Sequence, residues 1–264
     1  MAAPIPFLPH RFRAAASHYL AGRPPYPLRL VARVITLTTM ERTARVLDLG
    51  CGPGQLARAF AAFAGEVVAV DPEPEMLRQA RQAAGAARIR FVQGSSYDLG
   101  PGFGRFHLAV MGRSFHWMDR VDTLRRLDAL IEPRGAVVLF GDNHPDLPDN
   151  AWRPAWRDAL APFRDPAREH HRAGWVRHEA ILLDSVFSRL DSVSVIDRRR
   201  TPLATMVERA LSLSSTNPVR ADGTGGAKVE ALQQAITDAL APFAVDGMIT
   251  EVVESYALMA MRKD

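Results

Sequence analysis

Glycine occupies every second position of Gly50-Cys51-Gly52-Pro53-Gly54, directly after the apolar run Val46-Leu47-Asp48-Leu49, and a carboxylate stands on either side: Asp48 before the loop and Asp71, 21 residues after Gly50. Residues without a Cβ can take positive φ and let the main chain approach a ligand closely. A helix pattern with Leu56, Phe60 and Phe63 follows at once. Strand, glycine loop and helix form the opening unit of a nucleotide-binding α/β fold, where ligands sit beyond the carboxyl ends of the strands. Residues 66–70 read as a second buried strand that ends in Asp71-Pro72. An acid at that point can accept both hydroxyls of a ribose, because an ionised carboxylate offers two oxygens with several lone pairs. The dinucleotide fingerprint G-x-G-x-x-G is not met, since its third glycine would fall at position 55, which is Gln55.

With its G-x-G-x-G spacing and Asp48 ahead of it, the stretch 46–54 resembles the first motif of the class I S-adenosylmethionine (SAM)-dependent methyltransferases, of the small-molecule, type 11-like kind. The resemblance implies SAM as cofactor, with Gly50, Gly52, Gly54 and Gln55 under its methionine and ribose portions and Asp48 near its ammonium group. It places Asp71, Pro72 and Met76 on the ribose side and Ser95, Ser96 and Tyr97, after a third strand at 88–92, around the adenine. Ser95 stands where many members carry an acid, so the adenine contact is left open between Ser95, Ser96 and the Tyr97 main chain. A fourth strand at 106–111 brings Met111, Gly112 and Arg113 to the cofactor edge, and His107 at its start reads as a strand-entry polar residue. The segment Tyr19…Arg23-Pro24-Pro25-Tyr26-Pro27 resembles the arm that crosses the cofactor's methionine end in such enzymes. Arg23 has the planar fork that suits the cofactor carboxylate.

Methyl transfer from a sulfonium is an in-line displacement, so the protein's main task is to hold a nucleophile about 3 Å from the methyl in aligned geometry. A general base is needed where the acceptor arrives as a hydroxyl or ammonium. His116, in a His116-Trp117-x-Asp119 stretch similar to one common in small-molecule members, is the first candidate for base or orienter, and His144 is the second. The competing reading of each is a hydrogen-bonded structural histidine. Phe115 and Trp117 are expected as pocket wall, and with His144 they form the expected substrate side. The position after the fourth strand, Met111-Gly112-Arg113-Ser114, lacks the motif of exocyclic-amine enzymes, the cysteine of cytosine-C5 enzymes and the acid of metal-dependent catechol-type enzymes. His170, His171 and His178 form no convincing ligand set and read as a solvated helix face, so no metal is expected. The acceptor is then an O, N or carboxylate group of a small organic molecule. Two other classes remain: an NAD(P)-dependent oxidoreductase, for which no Tyr-x-x-x-Lys pair is present, and a SAM-binding protein without transferase activity.

Positioning these groups requires alternating strands and helices. Helices are expected at 74–84, opened by Pro74 between Glu73 and Glu75, and at 120–131, with Val121, Leu124, Leu127 and Ile131 on the buried face. Further strands are expected at 135–140, 192–197 and 249–261. The expected fold is a Rossmann-like α/β domain, a seven-stranded, mostly parallel sheet with helices on both faces. Within a single domain of 1–264, residues 1–40 form an amino-terminal arm and helix, 41–141 the cofactor core, and 142–191 and 201–248 helical insertions over the substrate side. Ala-Leu-Ala-Pro-Phe at 159–163 and 239–243 marks two helix ends. Asp222-Gly223-Thr224-Gly225-Gly226 reads as a flexible loop.

Composition agrees. The chain has 264 residues, 47% of them hydrophobic, enough for one sizeable core. It has no run of 18 apolar residues, so no membrane span is expected. The start of the chain is too weakly apolar for a secretory signal and Cys51 is the sole cysteine, so a cytoplasmic location is expected. The net charge of +4 comes almost wholly from arginine interleaved with acids, with one cluster at Arg198-Arg199-Arg200, so no nucleic-acid face is expected. The expected oligomeric state is monomer or homodimer.

Overall fold

The computed structural model describes residues 12–164, 175–216 and 225–263. Its centre is a sheet of β1 (Arg45–Leu49), β2 (Glu66–Asp71), β3 (Ile89–Gln93), β4 (Phe106–Gly112), β5 (Ile131–Asn143), β6 (Arg189–Pro202) and β8 (Met248–Met261), with the two-residue β7 (Ala244–Val245) paired to β8. The order is β3-β2-β1-β4-β5-β8-β6. The first five strands run parallel, and β8 runs antiparallel to both of its neighbours. The strand order reverses between β1 and β4, and the crevice beyond their carboxyl ends is where an α/β sheet of this kind binds ligands.

Both faces of the sheet are covered. Val46, Leu108, Val110 and Val138 face α2 (Leu28–Leu37) and α3 (Gln55–Ala61) through Leu30, Val34 and Phe60. Leu47, Leu49, Ala109 and Val137 face α5 (Arg120–Leu130) through Leu124 and Leu127. Strands buried on both sides read as near-continuous apolar runs, which is why β1, β2 and β4 are legible without alternation. The α4 helix (Pro74–Ala84) begins at its proline, and the Glu73 carboxylate accepts the Glu75 N–H as N-cap.

The two insertions share a small core of their own. Trp152 and Leu160 of the α6 (Arg153–Leu160) region pack with Met206 and Ala210 of α8 (Leu203–Leu211) and with Leu232, Ile236 and Leu240 of α9 (Gly225–Leu240). Both copies of Ala-Leu-Ala-Pro-Phe end an α-helix, at Leu160 and Leu240, and pass into a 3-10 turn. Gly225 and Gly226 open α9 rather than belonging to a loop, and Asp222, Gly223 and Thr224 lie outside the described residues.

Other expectations are corrected. Arg198, Arg199 and Arg200 lie within β6 rather than at its end, because this edge strand continues pairing with β8 to Pro202. Each has a local acid: Arg198 meets Asp149, Arg199 meets Glu251 and Arg200 meets Asp246. In α5 Val121 is 66% exposed, and Thr123 and Leu130 complete the buried face instead. His107, the second residue of β4, stands at the strand entry as expected; it is buried, with Nε2 2.8 Å from the Thr38 carbonyl, tying the strand to the end of α2.

The cap and the amino-terminal arm are fastened to the sheet at one buried acid. Glu251 of β8 is fully buried, and its oxygens accept from both terminal nitrogens of Arg209 at 2.8 and 3.0 Å and from Arg199 Nε at 2.8 Å. Thr201 Oγ1 and His144 Nε2 complete its shell. Against the cost of burial, these neighbours hold its carboxyl well below the usual carboxylate range. Arg209 also donates to the carbonyl of Gly22, the last residue of α1 (Ala16–Gly22). A Cβ on Gly22 would stand 2.5 Å from the α8 main chain, so α1 and α8 are in direct backbone contact. Glu251→Gln leaves the buried guanidinium of Arg209 and the half-buried one of Arg199 without their anion, and it is expected to cost about 3–5 kcal/mol in urea unfolding. A loss below about 1 kcal/mol would show that the cluster does not hold the cap.

Candidate functional site

The glycine loop is pinned from below. Gly50 and Cys51 N–H groups donate to the Val70 carbonyl at 2.8 and 3.0 Å, and Gly52 N–H donates to Asp71 Oδ2 at 2.8 Å. Gly50 has φ +69°, and a Cβ there would meet Ser114 Cβ at 2.6 Å, so both its conformation and its surroundings require glycine. Ser114 Oγ in turn donates to the Leu49 carbonyl at 2.8 Å, which locks the end of β4 to the end of β1.

Above this loop lies a small cavity lined by Tyr19, Gly50, Gly52, Asp71, Pro72 and Met76, by Ser95, Ser96 and Tyr97, and by Gly112 and Arg113. It thus gathers eleven of the sequence-nominated cofactor residues. Asp71 Oδ1 accepts the Glu73 N–H at 2.9 Å and Oδ2 that of Gly52, so each oxygen retains a lone pair. Burial raises the Asp71 carboxyl to about 6 against those two bonds. The Ser95 hydroxyl is committed to a turn: it donates to Asp98 Oδ2 at 2.8 Å and accepts the Tyr97 N–H at 3.2 Å. A second, larger cavity of about 1010 Å³ opens beside the first, lined by Met111, Phe115, His116, Trp175, His178 and Tyr256 among others. This is at the upper end of the range of roughly 300–1,000 Å³ for small-molecule sites. Among the described residues, Phe12, Tyr19, Arg113, Ser114 and Trp117 line both cavities, so the two spaces meet at this wall.

Arg113 is the core of that wall. It donates to Asp142 at the end of β5, to the Pro24 carbonyl at 3.0 Å and to Gln55 Oε1 at 3.5 Å, and it lies 4.5 Å from the Tyr26 ring centroid. Although burial opposes its ionisation, Asp142 is held below the usual carboxylate range by Arg113.

Several nominated residues lie elsewhere. Asp48 lines neither cavity; its Oδ2 accepts the Ala57 N–H at 2.8 Å and caps the first turn of α3. Gly54, at φ +76°, is the N-cap of that helix, and Gln55 Nε2 donates to the Arg23 carbonyl at 3.3 Å. Arg23 and Met111 line the larger cavity and not the smaller. His144 is drawn away from the substrate side by Glu251 and stands edge-on to Trp152, with ring centroids 5.4 Å apart.

His116 does line the larger cavity, tilted against Trp117 with 4.5 Å between centroids. Sequence reasoning missed His178, which opens α7 (His178–Leu183) on the same cavity instead of lying on a solvated face. His170 and His171 lie outside the described residues. Burial and then Arg120 push the His178 imidazole down to about 4, so the ring is neutral near pH 7. Arg120 Nη1, which can only donate, stands 3.3 Å from Nδ1 and leaves the ring proton on Nε2. Asp142 and Tyr256 were also missed. A polar residue directly after a buried strand could have signalled Asp142. Tyr256 comes from antiparallel β8 opposite Gly141, where a Cβ would strike its ring at 2.4 Å, and nothing local marks it.

Residues 46–135 match the family described as methyltransferase domain. An uncharacterized methyltransferase of Mycobacterium tuberculosis is 24% identical over 228 residues, 81% of this chain and 89% of the relative. The malonyl-[acyl-carrier protein] O-methyltransferase of Enterobacter lignolyticus is 29% identical over 206 residues, 76% of this chain and 75% of its own. Among solved structures, a putative type II methyltransferase from Anaeromyxobacter dehalogenans superposes with a TM-score of 0.61 at 20% identity, over 91% of this chain and 97% of that one. A SAM-dependent methyltransferase from Geobacter sulfurreducens in complex with S-adenosylhomocysteine (SAH) gives 0.54 at 18% identity, over 99% and 100%.

The buried acid beneath the loop leaves a measurable signature. Burial, opposed by the Ala57 N–H and reinforced by Asp71, raises the Asp48 carboxyl from 3.8 to about 7. Between these values the folded chain holds a proton that the unfolded chain has lost, so this group lowers stability as pH rises through the window, with no further change above it. Asp48→Asn removes the titration. Its unfolding free energy relative to wild type is expected to rise by up to about 4 kcal/mol from pH 4 to 7, followed by urea denaturation at stepped pH; a flat difference would contradict the assignment.

Proposed function

We propose that this chain, a class I SAM-dependent methyltransferase, methylates an oxygen, nitrogen or carboxylate group of a small organic molecule held in the larger cavity. The observation that carries this reading is the shared wall at Tyr19, Arg113, Ser114 and Trp117, which joins the cavity above the glycine loop to a second space large enough for an acceptor. The smaller cavity suits the cofactor. A Cβ on Gly52 would find its nearest neighbour, Met76 Sδ, only at 4.0 Å, which leaves the main chain open to a ligand. Asp71 has lone pairs left for the ribose hydroxyls, and Ser95, Ser96 and Tyr97 line the same cavity for the base. When bound, SAM would supply a methyl on a sulfonium, open to in-line attack by an aligned nucleophile with the neutral thioether SAH as leaving group.

The chain's own task is then alignment and exclusion of water. Phe12 stands edge-on to Trp117 at 5.6 Å between centroids and closes one side of the shared wall. His116 is placed to take a proton from a hydroxyl or ammonium acceptor, or to orient an acceptor that brings none. His178, neutral with its proton on Nε2, offers a donor beside it, the two rings being 6.4 Å apart.

Isothermal titration with SAM and with NAD tests the cofactor, and NAD binding without SAM binding would reverse the reading. A screen with labelled methyl donor tests turnover, since SAM binding with no acceptor methylated across the panel would favour a binding protein. Asp71→Ala is expected to weaken SAH binding about 10-fold or more, because charged hydrogen bonds contribute roughly 1.5–3 kcal/mol. With the Asp71 carboxyl at about 6, ribose binding favours its ionised form. SAH affinity should therefore be level above pH 7 and fall as pH drops through 6; unchanged affinity at pH 5 would remove Asp71 from the ribose.

A further inference from the structure

Where the amino-terminal arm crosses the carboxyl ends of β4 and β5, the described arginines outnumber the acids available to them. Asp142 is taken by Arg113, and Glu251 by Arg209 and Arg199. Arg23 is left over: it feels the charges of Arg113, Asp142 and Arg209, yet none of the ion pairs among the described residues includes it. Its Nε is sealed from water and donates to nothing. Its guanidinium carbon lies 5.5 Å from the Tyr19 ring centroid, a contact that steadies the group without using its N–H fork. A half-buried guanidinium that has a sealed, unused Nε and no ion pair, and stands beside two other cations, is costly, and an incoming anion relieves that cost.

The larger cavity is where such an anion would enter. Arg23 lines it and is absent from the lining of the cavity that holds the glycine loop and Asp71. The other arginines on its wall are neutralised, Arg113 by Asp142 and Arg177 by Glu179 at 2.6 Å. Glu254, the remaining acid of the wall, forms no ion pair with Arg23. Resting on the assignment of this cavity to the acceptor, we infer that Arg23 is the receptor for a carboxylate of the methyl acceptor, which is therefore an organic acid. Its fork suits a carboxylate in bidentate fashion, and Trp117, His116 and Trp175, whose rings are inclined to one another, offer aromatic surface for the body of the molecule. The cofactor's own carboxylate is the competing source of the same chemistry, and the experiment separates the two.

Full-length protein saturated with SAH is titrated with acetate, benzoate, 4-hydroxycinnamate and decanoate, each against its primary amide. At least one acid is expected to bind about 10-fold more tightly than its amide. Arg23→Gln should abolish that preference and Arg23→Lys retain part of it, with SAH affinity within about twofold of wild type in both. Acids that bind no better than amides to the wild-type protein, or a preference that survives Arg23→Gln, would overturn the inference. A loss of about 10-fold or more in SAH affinity in Arg23→Gln would also overturn it and give Arg23 to the cofactor carboxylate. Should Arg23→Gln fail to fold, the wild-type comparison of acids with amides and the Arg23→Lys variant decide the matter. Failure of SAH to bind the wild-type protein would count against the methyltransferase reading instead.

Discussion

The site is held together by the side chain of Arg113. From the end of β4 it reaches Asp142 on β5, the Pro24 carbonyl in the amino-terminal arm and Gln55 behind the glycine loop, while its cation lies against the Tyr26 ring. Its main chain has φ +55°, a left-handed conformation that costs a non-glycine residue on the order of 1 kcal/mol and persists only where surrounding contacts over-determine it. Here they do, since its N–H also donates to the Phe140 carbonyl at 3.1 Å. Turning the chain at this point directs Ser114 back under Gly50 and sends Phe115, His116 and Trp117 out along the second cavity. This one ion pair thus determines where the two cavities meet.

A second buried acid, Glu251, does for the cap what Asp142 does for the wall. It lies on β8, one strand beyond β5, and joins α8, β6 and His144, while Arg209 extends the link to the end of α1. Breaking such a cluster strands charge in the interior, so its members act as a unit. The helical insertions pool their apolar residues into one core and are attached through charge to the sheet they cover. The cap therefore stands in fixed relation to the arm that carries Tyr19 and Arg23, and those two residues line the larger cavity together.

Much of the lining of the smaller cavity was legible in the chain, because its determinants are local. Gly50, Gly52, Asp71 and the Ser95–Tyr97 turn each follow the end of a strand, and strand ends in a doubly wound sheet converge. The structure places side chains away from the two cavities where a short-range motif could serve more than one end. Asp48 has the position of a ligand residue, but its carboxylate is spent on the Ala57 N–H. His144 follows β5 closely enough to suggest the cavity, yet an acid 107 residues away in sequence captures it. His178 looked like a solvated helix face because its neighbours are polar, and what keeps it neutral is long-range: burial first, then Arg120 on another helix.

The sequence by itself determined the class of fold, the glycine loop, the acid at the end of β2 and the places of the first five strands along the chain, all of which follow from periodicity and from residue types with restricted backbone preferences. Tertiary structure decided which charges are paired. Arginine and carboxylate side chains are long, numerous and interchangeable in a one-dimensional reading, and their partners are set by long-range packing of β8, α8 and the amino-terminal arm. That packing gives Arg113 and Arg209 their acids and leaves Arg23 facing the larger cavity without one.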